Sequence, residues 1–180
     1  CLNTAGRGGM FKKGTNTNAV QQARIRKTKW FFENRQDFML ELFHDIRKAI
    51  RFARRRDLTP VFRLNGTSDL AWEKYTLDGY NVFELFPEVQ FYDYTKILGR
   101  KVADYPNYHL TFSRAEDNYE DCMKAQAAGM NVAVVYDRIP DNVYSADEDD
   151  LRFLDPFVAI VGLKAKGRAK KDDSGFVVRT

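Results

Sequence analysis

Several apolar stretches of this sequence end in groups that can do chemistry. FRLNGTSD (62–69) supplies Arg63, Asn65, Ser68 and Asp69, and QFYDYTK (90–96) supplies Asp93 and Lys96. HLTFS (109–113) supplies Thr111 and Ser113, AVVYD (133–137) supplies Asp137, and IVGLKAKGR (160–168) supplies further cations. Arg63 and Lys96 can hold an anionic group. Asp69 and Asp93 can accept a proton or orient an amine, and Asn65 and Ser113 can donate and accept hydrogen bonds. Gathered in one place, Arg63, Asn65, Asp69, Asp93, Lys96 and Ser113 would bind and orient a small polar substrate, and they are the candidate catalytic residues. Each also has a plain structural use. Ser68 and Asp69 can cap a short helix, Ser113 can cap the next one, and Arg63 with Asp93 can form a buried ion pair. Recurrence on successive stretches says more than any single residue.

The elements that must position these groups alternate. Strands are expected at 60–65, 89–95, 108–113, 131–137 and 157–163, because side chains alternate across a strand and these runs alternate apolar with polar. Short helical pieces are expected at 69–75 and 81–86. A longer helix is expected over 114–128, with SRAE as a capping box from Ser113 to Glu116 and Gly129 as its stop. Strand alternating with helix predicts an α/β fold, a mainly parallel sheet with covering helices in a partial TIM-type barrel. Such folds build their sites where the carboxyl ends of the strands meet the following loops.

Upstream lie two helices. One runs over 19–33, capped by Asn18 or Thr17, and the other over 36–56. In the second, Met39, Leu42, Phe43, Ile46, Ala49, Ile50 and Ala53 recur at three- and four-residue spacing and form one buried stripe. The domain plan is a single domain over 1–180, with a Gly-rich loop at 1–18, a helical part at 19–57, alternation over 58–165 and a tail at 166–180. The acidic run Asp147–Asp150 reads as a solvated loop. Cys122 reads as a core thiol on the helical face of Tyr119 and Met123. His44 sits on a helix flank, and His109 is directed toward the rim.

Composition bounds the classes. The 180 residues are 44% hydrophobic and 30% charged, which describes a globular chain. No apolar run approaches the ~20 residues of a membrane span. Two cysteines, Cys1 and Cys122, are too few for a disulfide framework and point to a reducing compartment. The net charge of +4 suits anionic ligands. TAGRGGM places Gly6, Gly8 and Gly9 around Arg7, a loop that can offer N–H groups to a phosphate or carboxylate, although an ordinary flexible loop has the same composition. The chain opens on Cys1 within this motif and reads as a fragment with an upstream part missing.

CLNTAGRG, RLNGTSD, FYDYTK, NYHLTFSRAEDN, VGLKAKGRA and DDSGF, in this order over nearly the whole chain, resemble the phage-encoded gene product 88 domain family. More distantly, the glycine motif and the βα alternation are similar to the radical S-adenosylmethionine enzymes. The resemblance implies a host-cytoplasmic protein in which Cys1, with cysteines upstream of it, ligates an iron–sulfur cluster. Gly6, Arg7 and Gly8 would adjoin that cluster and S-adenosylmethionine. A four-iron cluster needs at least three protein thiolates, and only Cys1 stands near these glycines. The function implied is an iron–sulfur, radical-enzyme-like barrel acting on a polar substrate at the strand rim. The alternative is a nucleic-acid-binding phage accessory protein without catalysis. It would use Arg24, Arg26, Lys27 and Lys29, the run from Arg51 to Arg56, and Lys164, Lys166, Arg168, Lys170 and Lys171, with Trp30, Tyr92 and Tyr94 to stack on bases. A third reading is an interaction scaffold.

Overall fold

Apolar periodicity along the second helix dictates how the molecule packs. In a computed structural model, which describes residues 6–11, 14 and 18–180, α1 spans Ala19–Glu33 and α2 spans Arg35–Arg54. Asn18 caps α1 by accepting from the Gln21 N–H at 3.0 Å. Asn34 ends α1 and starts α2, accepting from the Asp37 N–H. Met39, Phe43, Ile46 and Ala53 are buried, with Leu42 and Ile50 partly buried beside them.

Seven parallel strands form one sheet. They are β1 (Val61–Phe62), β2 (Gln90–Thr95), β3 (Tyr108–Ser113), β4 (Asn131–Tyr136), β5 (Tyr144–Ser145), β6 (Ile160–Lys164) and β7 (Val177–Val178). The order is β1-β2-β3-β4-β6-β5, and β7 also pairs with β4. The first half of β4 pairs with β3 (Thr111 beside Asn131, Ser113 beside Ala133). Its last two residues pair with β7 (Val135 beside Val177, Tyr136 beside Val178). The tail is therefore built into the sheet.

Register fixes the two faces. Phe91, Tyr108, Leu110, Phe112, Val132, Val134 and Tyr136 share one face. There they meet α1, α2, α3 (Val82–Leu85) and α4 (Tyr119–Ala127) in two apolar clusters. Tyr92, Tyr94, His109, Thr111, Ser113, Ala133, Val135, Val161 and Leu163 share the other face. A single 3-10 turn, Arg152–Leu154, packs on it, with the Phe153 ring 5.7 Å from that of Tyr92. Gly162 lets the 139–143 segment cross β6 closely, since a Cβ there would lie 2.7 Å from Ile139.

Several boundaries differ from expectation. The strand expected at 60–65 is paired only over Val61–Phe62, because the chain leaves the sheet to turn at Asn65. The helix expected from Arg114 begins at Tyr119, and no capping box forms at Ser113. Asn118 instead bonds the Ala115 N–H and the Ser113 carbonyl, which tightens 113–118 into a turn. Cys122 is buried in the core, but Tyr119 and Met123 are exposed, so the three do not share an inward face. Among the described residues no helix is long and apolar enough to cross a membrane.

Truncating Phe43 to Ala should lower stability by about 3–5 kcal/mol in urea unfolding, since its ring fills space against Phe86 at 5.9 Å between centroids. Tyr119→Ala, on the exposed side of α4, should stay within about 0.5 kcal/mol.

Candidate functional site at the carboxyl rim

The turn that follows β1 is shaped by Asn65, which is buried. Its Oδ1 accepts from the Leu70 N–H (3.0 Å), the Trp72 indole N–H (3.1 Å) and the Ser68 hydroxyl (2.8 Å). Its Nδ2 donates to the Leu70 carbonyl at 3.0 Å and to Asp93 Oδ2 at 3.3 Å, and its backbone N–H donates to Asp93 Oδ1 at 2.7 Å. Asp93 also accepts from the Tyr108 hydroxyl at 3.1 Å. Asp93 is fully buried and lies on the helix-covered face, below the turn rather than on the rim. Asp93 and Arg63 form no ion pair. Burial pushes the Asp93 carboxyl up to about 7, against the opposing pull of the Asn65 N–H, Tyr108, Arg63 and Arg100.

A second network stands next to the first. Arg100, nearly inaccessible, holds Glu73 through two bonds, donates to the Tyr108 hydroxyl at 3.1 Å and lies 3.7 Å from Asp69 Oδ1. The other oxygen of Asp69 accepts the Lys96 N–H at 2.6 Å. Asp69 thus clamps the end of β2 to the turn after β1. Burial, with the adjacent Asp93 charge, raises the Tyr108 phenol well above its ordinary range.

Arg63 reaches the opposite face of the sheet. It donates to Asp150 Oδ2 at 2.6 Å and lies over the Tyr94 ring at 4.6 Å, while the Tyr94 hydroxyl donates to Asp150 Oδ1 at 3.2 Å. The acidic run is therefore not a free solvated loop. Asp147 accepts from Lys166 Nζ at 3.0 Å, and Asp149 and Asp155 flank the buried Arg152. These contacts strap 146–155 across the sheet.

Between strap, turn and strand ends lies a cavity of about 660 Å³, within the range of small-molecule sites. Arg63, Asn65, Asp69, Lys96 and Ser113 all line it, joined by Tyr94, Asp147, Asp150, Lys164, Lys166 and Phe176. Asp93 does not line it. Asp137 lies apart, accepting from the Thr180 N–H and hydroxyl and so anchoring the C-terminus. Thr111 is buried, and the half-buried His109 faces the strap, its pKa lowered by burial and by Arg152. Cys1 and the Arg7 side chain lie outside the described residues. Gly6 and Gly8 belong to the 3-10 turn Gly6–Gly9, whose Gly8 carbonyl accepts from Asn18 and Gln21 on α1. Gly8 does not line the cavity.

A family model described as gene product 88 matches residues 1–180, the full length of the chain. The chain belongs to that phage gene product family. No curated protein and no solved structure matches it.

In this gene product 88 chain the described residues do not supply an iron–sulfur site. Cys122 is buried in the core 3.6 Å from Asn118, and burial raises its thiol pKa. A cluster here would need thiolates from beyond these 180 residues in addition to Cys1. Among the described residues, the metal-competent grouping is Glu41, His44 and Asp45, all exposed on α2. The strap residues Asp147 and Asp150, together with Lys164 and Phe176, were missing from the candidate catalytic set. The polar ending of IVGLKAKGR follows the rule that singled out the earlier strands. The acidic run carried no such signal, since its partners lie far away in sequence.

The Asp93 shift sets a pH dependence. A carboxyl whose pKa is higher folded than unfolded binds its proton more tightly in the native state. Its contribution is full below about pH 4 and is lost as pH rises toward 7, at no more than about 1.4 kcal/mol per pH unit. Urea unfolding at pH 5 and pH 8 should show higher stability at pH 5 from this group, and Asp93→Asn should flatten the difference.

Proposed function

We propose that this protein is an enzyme acting on a small polar molecule bound at the carboxyl rim of a partial barrel. The observation that carries the reading is the convergence of Arg63, Asp69, Lys96 and Ser113, from three strand ends, on one cavity. Parallel order and the restriction of α-helices to one face support the barrel, with the strapped face as its inner wall. Lys96, Lys164 and Arg63 would bind and orient the substrate. Ser113 would hydrogen-bond to it, and Tyr94 and Phe176 would cover its less polar part. Radical chemistry at an iron–sulfur cluster with S-adenosylmethionine remains a proposal carried by the distant resemblance alone, and no step is assigned to it.

A ligand at 100 times its Kd should stabilise the protein by about 2.7 kcal/mol. Screening polar metabolites by thermal shift should find such a compound, and Thr67→Trp, at the exposed edge of the cavity, should abolish its effect while leaving the unliganded fold intact. A shift that survives Thr67→Trp would place the ligand elsewhere and overturn the reading.

One observation favours nucleic acid as the second reading. Arg47, Lys48, Arg51 and Arg54 on the C-terminal half of α2, with Arg55 and Arg56 in the turn after it, have no carboxylate ion-pair partner among the described residues. If that surface binds phosphates, affinity for a labelled single strand must fall steeply with salt, and Arg51→Glu with Arg55→Glu must abolish it. No binding at low salt would retire this reading.

A further inference from the structure

Four acids, Asp69, Asp147, Asp149 and Asp150, and four cations, Arg63, Lys96, Lys164 and Lys166, line the cavity. Asp150 is taken by Arg63, Asp147 by Lys166, Asp149 by Arg152 and Asp69 by Arg100. Two cations of the lining, Lys96 and Lys164, have no carboxylate partner among the described residues. The Lys96 ammonium meets only the Phe176 ring, at 5.7 Å. Arg100 and Arg152 stand behind the lining and each holds a second acid, Glu73 and Asp155, so the charges balance overall while two ammonium groups of the lining have no carboxylate beside them.

Hydrogen-bonding capacity leans toward donors. The backbone N–H groups of Gly66, Thr67, Ser68 and Asp69 find no acceptor among the described residues, although this turn lines the cavity. The Thr67 and Ser113 hydroxyls make no bond there either, and Arg63 Nε is buried without a partner. The Asn65 knot fixes the turn that carries the four amides, so they stay in place with or without a ligand. Asp69 Oδ1 is a buried acceptor of the lining without a hydrogen bond, and the other groups left unsatisfied around the cavity are donors.

On the reading of this cavity as a small-molecule site, we infer that its ligand is a phosphate-bearing small molecule, its phosphate seated between the Gly66–Asp69 turn and the ammonium groups of Lys96 and Lys164. A successive run of backbone N–H groups in a turn is a natural anion seat. Two ammonium groups without a carboxylate beside them suit a dianion, and the donors outnumber what the two oxygens of a carboxylate can accept but suit the three terminal oxygens of a phosphate monoester. The remainder of the ligand lies toward Tyr94, Phe176 and Leu163.

The test is a titration of the isotope-labelled chain with inorganic phosphate, a sugar phosphate and a nucleoside monophosphate at low ionic strength, followed by amide NMR. Saturable shifts at residues 66–69 are expected, and Lys96→Ala and Lys164→Ala should each weaken binding about ten-fold or more, the loss of a charge-assisted contact. Lys166→Ala, whose ammonium is already held by Asp147, should change it by no more than about two-fold. These lysines are exposed, so the variants keep their fold. Tighter binding of an ester than of inorganic phosphate identifies a phosphorylated metabolite, and equal binding identifies free phosphate. Either supports the seat. Phosphate shifts confined to the α2 arginines would overturn it, as would shifts at 66–69 indifferent to both lysine substitutions. Perturbation of the turn only by neutral or cationic metabolites would overturn the anion inference and leave the small-molecule site standing. No perturbation of the cavity by probes of any charge would remove both.

Discussion

One buried carboxylate, Asp93, ties the interior of the sheet to the shape of its rim. Its two oxygens take the backbone and side-chain N–H groups of Asn65 and the Tyr108 hydroxyl. Remove those acceptors and the Asn65 N–H is left buried without a partner, a cost of about 1–3 kcal/mol for each such group. Asn65 in turn gathers Ser68, Leu70 and Trp72, and Trp72 belongs to the aromatic cluster under α1 with Phe31 and Tyr75. Tyr108 leads through Arg100 to Glu73 and Asp69, and Asp69 holds the end of β2. The polar turn at the rim is thus an outgrowth of the core.

The two faces of the sheet divide the work. The four α-helices of the described residues crowd one face, where Asp93 and Thr95 are set among the apolar residues of β2, β3 and β4. The other face carries Tyr92, Tyr94, His109, Thr111 and Ser113, too polar to receive an amphipathic helix. It is covered instead by an irregular strap whose own polar groups match it, Asp150 to Arg63 and Tyr94. The cavity opens on the second face near the carboxyl ends, where β7 takes over from β3 beside β4 and Phe176 joins the lining.

Much of this was legible in the sequence, and the rest was hidden for identifiable reasons. The spacing of Met39, Phe43 and Ile46 gave away the buried face of α2, and strand ends in polar groups located the rim. Alternation within QFYDYT already set Asp93 on the side of Phe91, away from Tyr94. Its grouping with the rim residues followed from sequence proximity to Lys96, while its real role depends on a turn 28 residues earlier. The start of α4 was misread because a Ser-x-x-Glu pattern also fits a turn, and Asn118 won the competition for the free groups there. The strap could not be read at all. Arg63 and Asp150 stand 87 residues apart, and nothing local distinguishes an acidic loop that folds back from one that stays in water.

The strap also decides how the cavity must work. Arg152 is almost wholly inaccessible and is matched at 3.2 Å by Asp155, whose side chain is also nearly inaccessible. Breaking a buried pair by moving one partner leaves an uncompensated charge, at a cost of about 3–5 kcal/mol. Phe153 adds its contact with Tyr92, and Asp150 its two bonds at the rim. A segment held at three points of different chemistry does not swing open as a lid on each encounter with a ligand. The cavity is open on the side of the 66–69 turn, whose Gly66, Thr67 and Ser68 are exposed, and the proposed ligand would enter past donors that are already in position. Groups held in place before binding lose little further entropy when the ligand arrives. On the proposed reading, recognition would come from the turn amides that Asn65 holds in place, with Lys96 and Lys164 beside them, rather than from closure around the ligand.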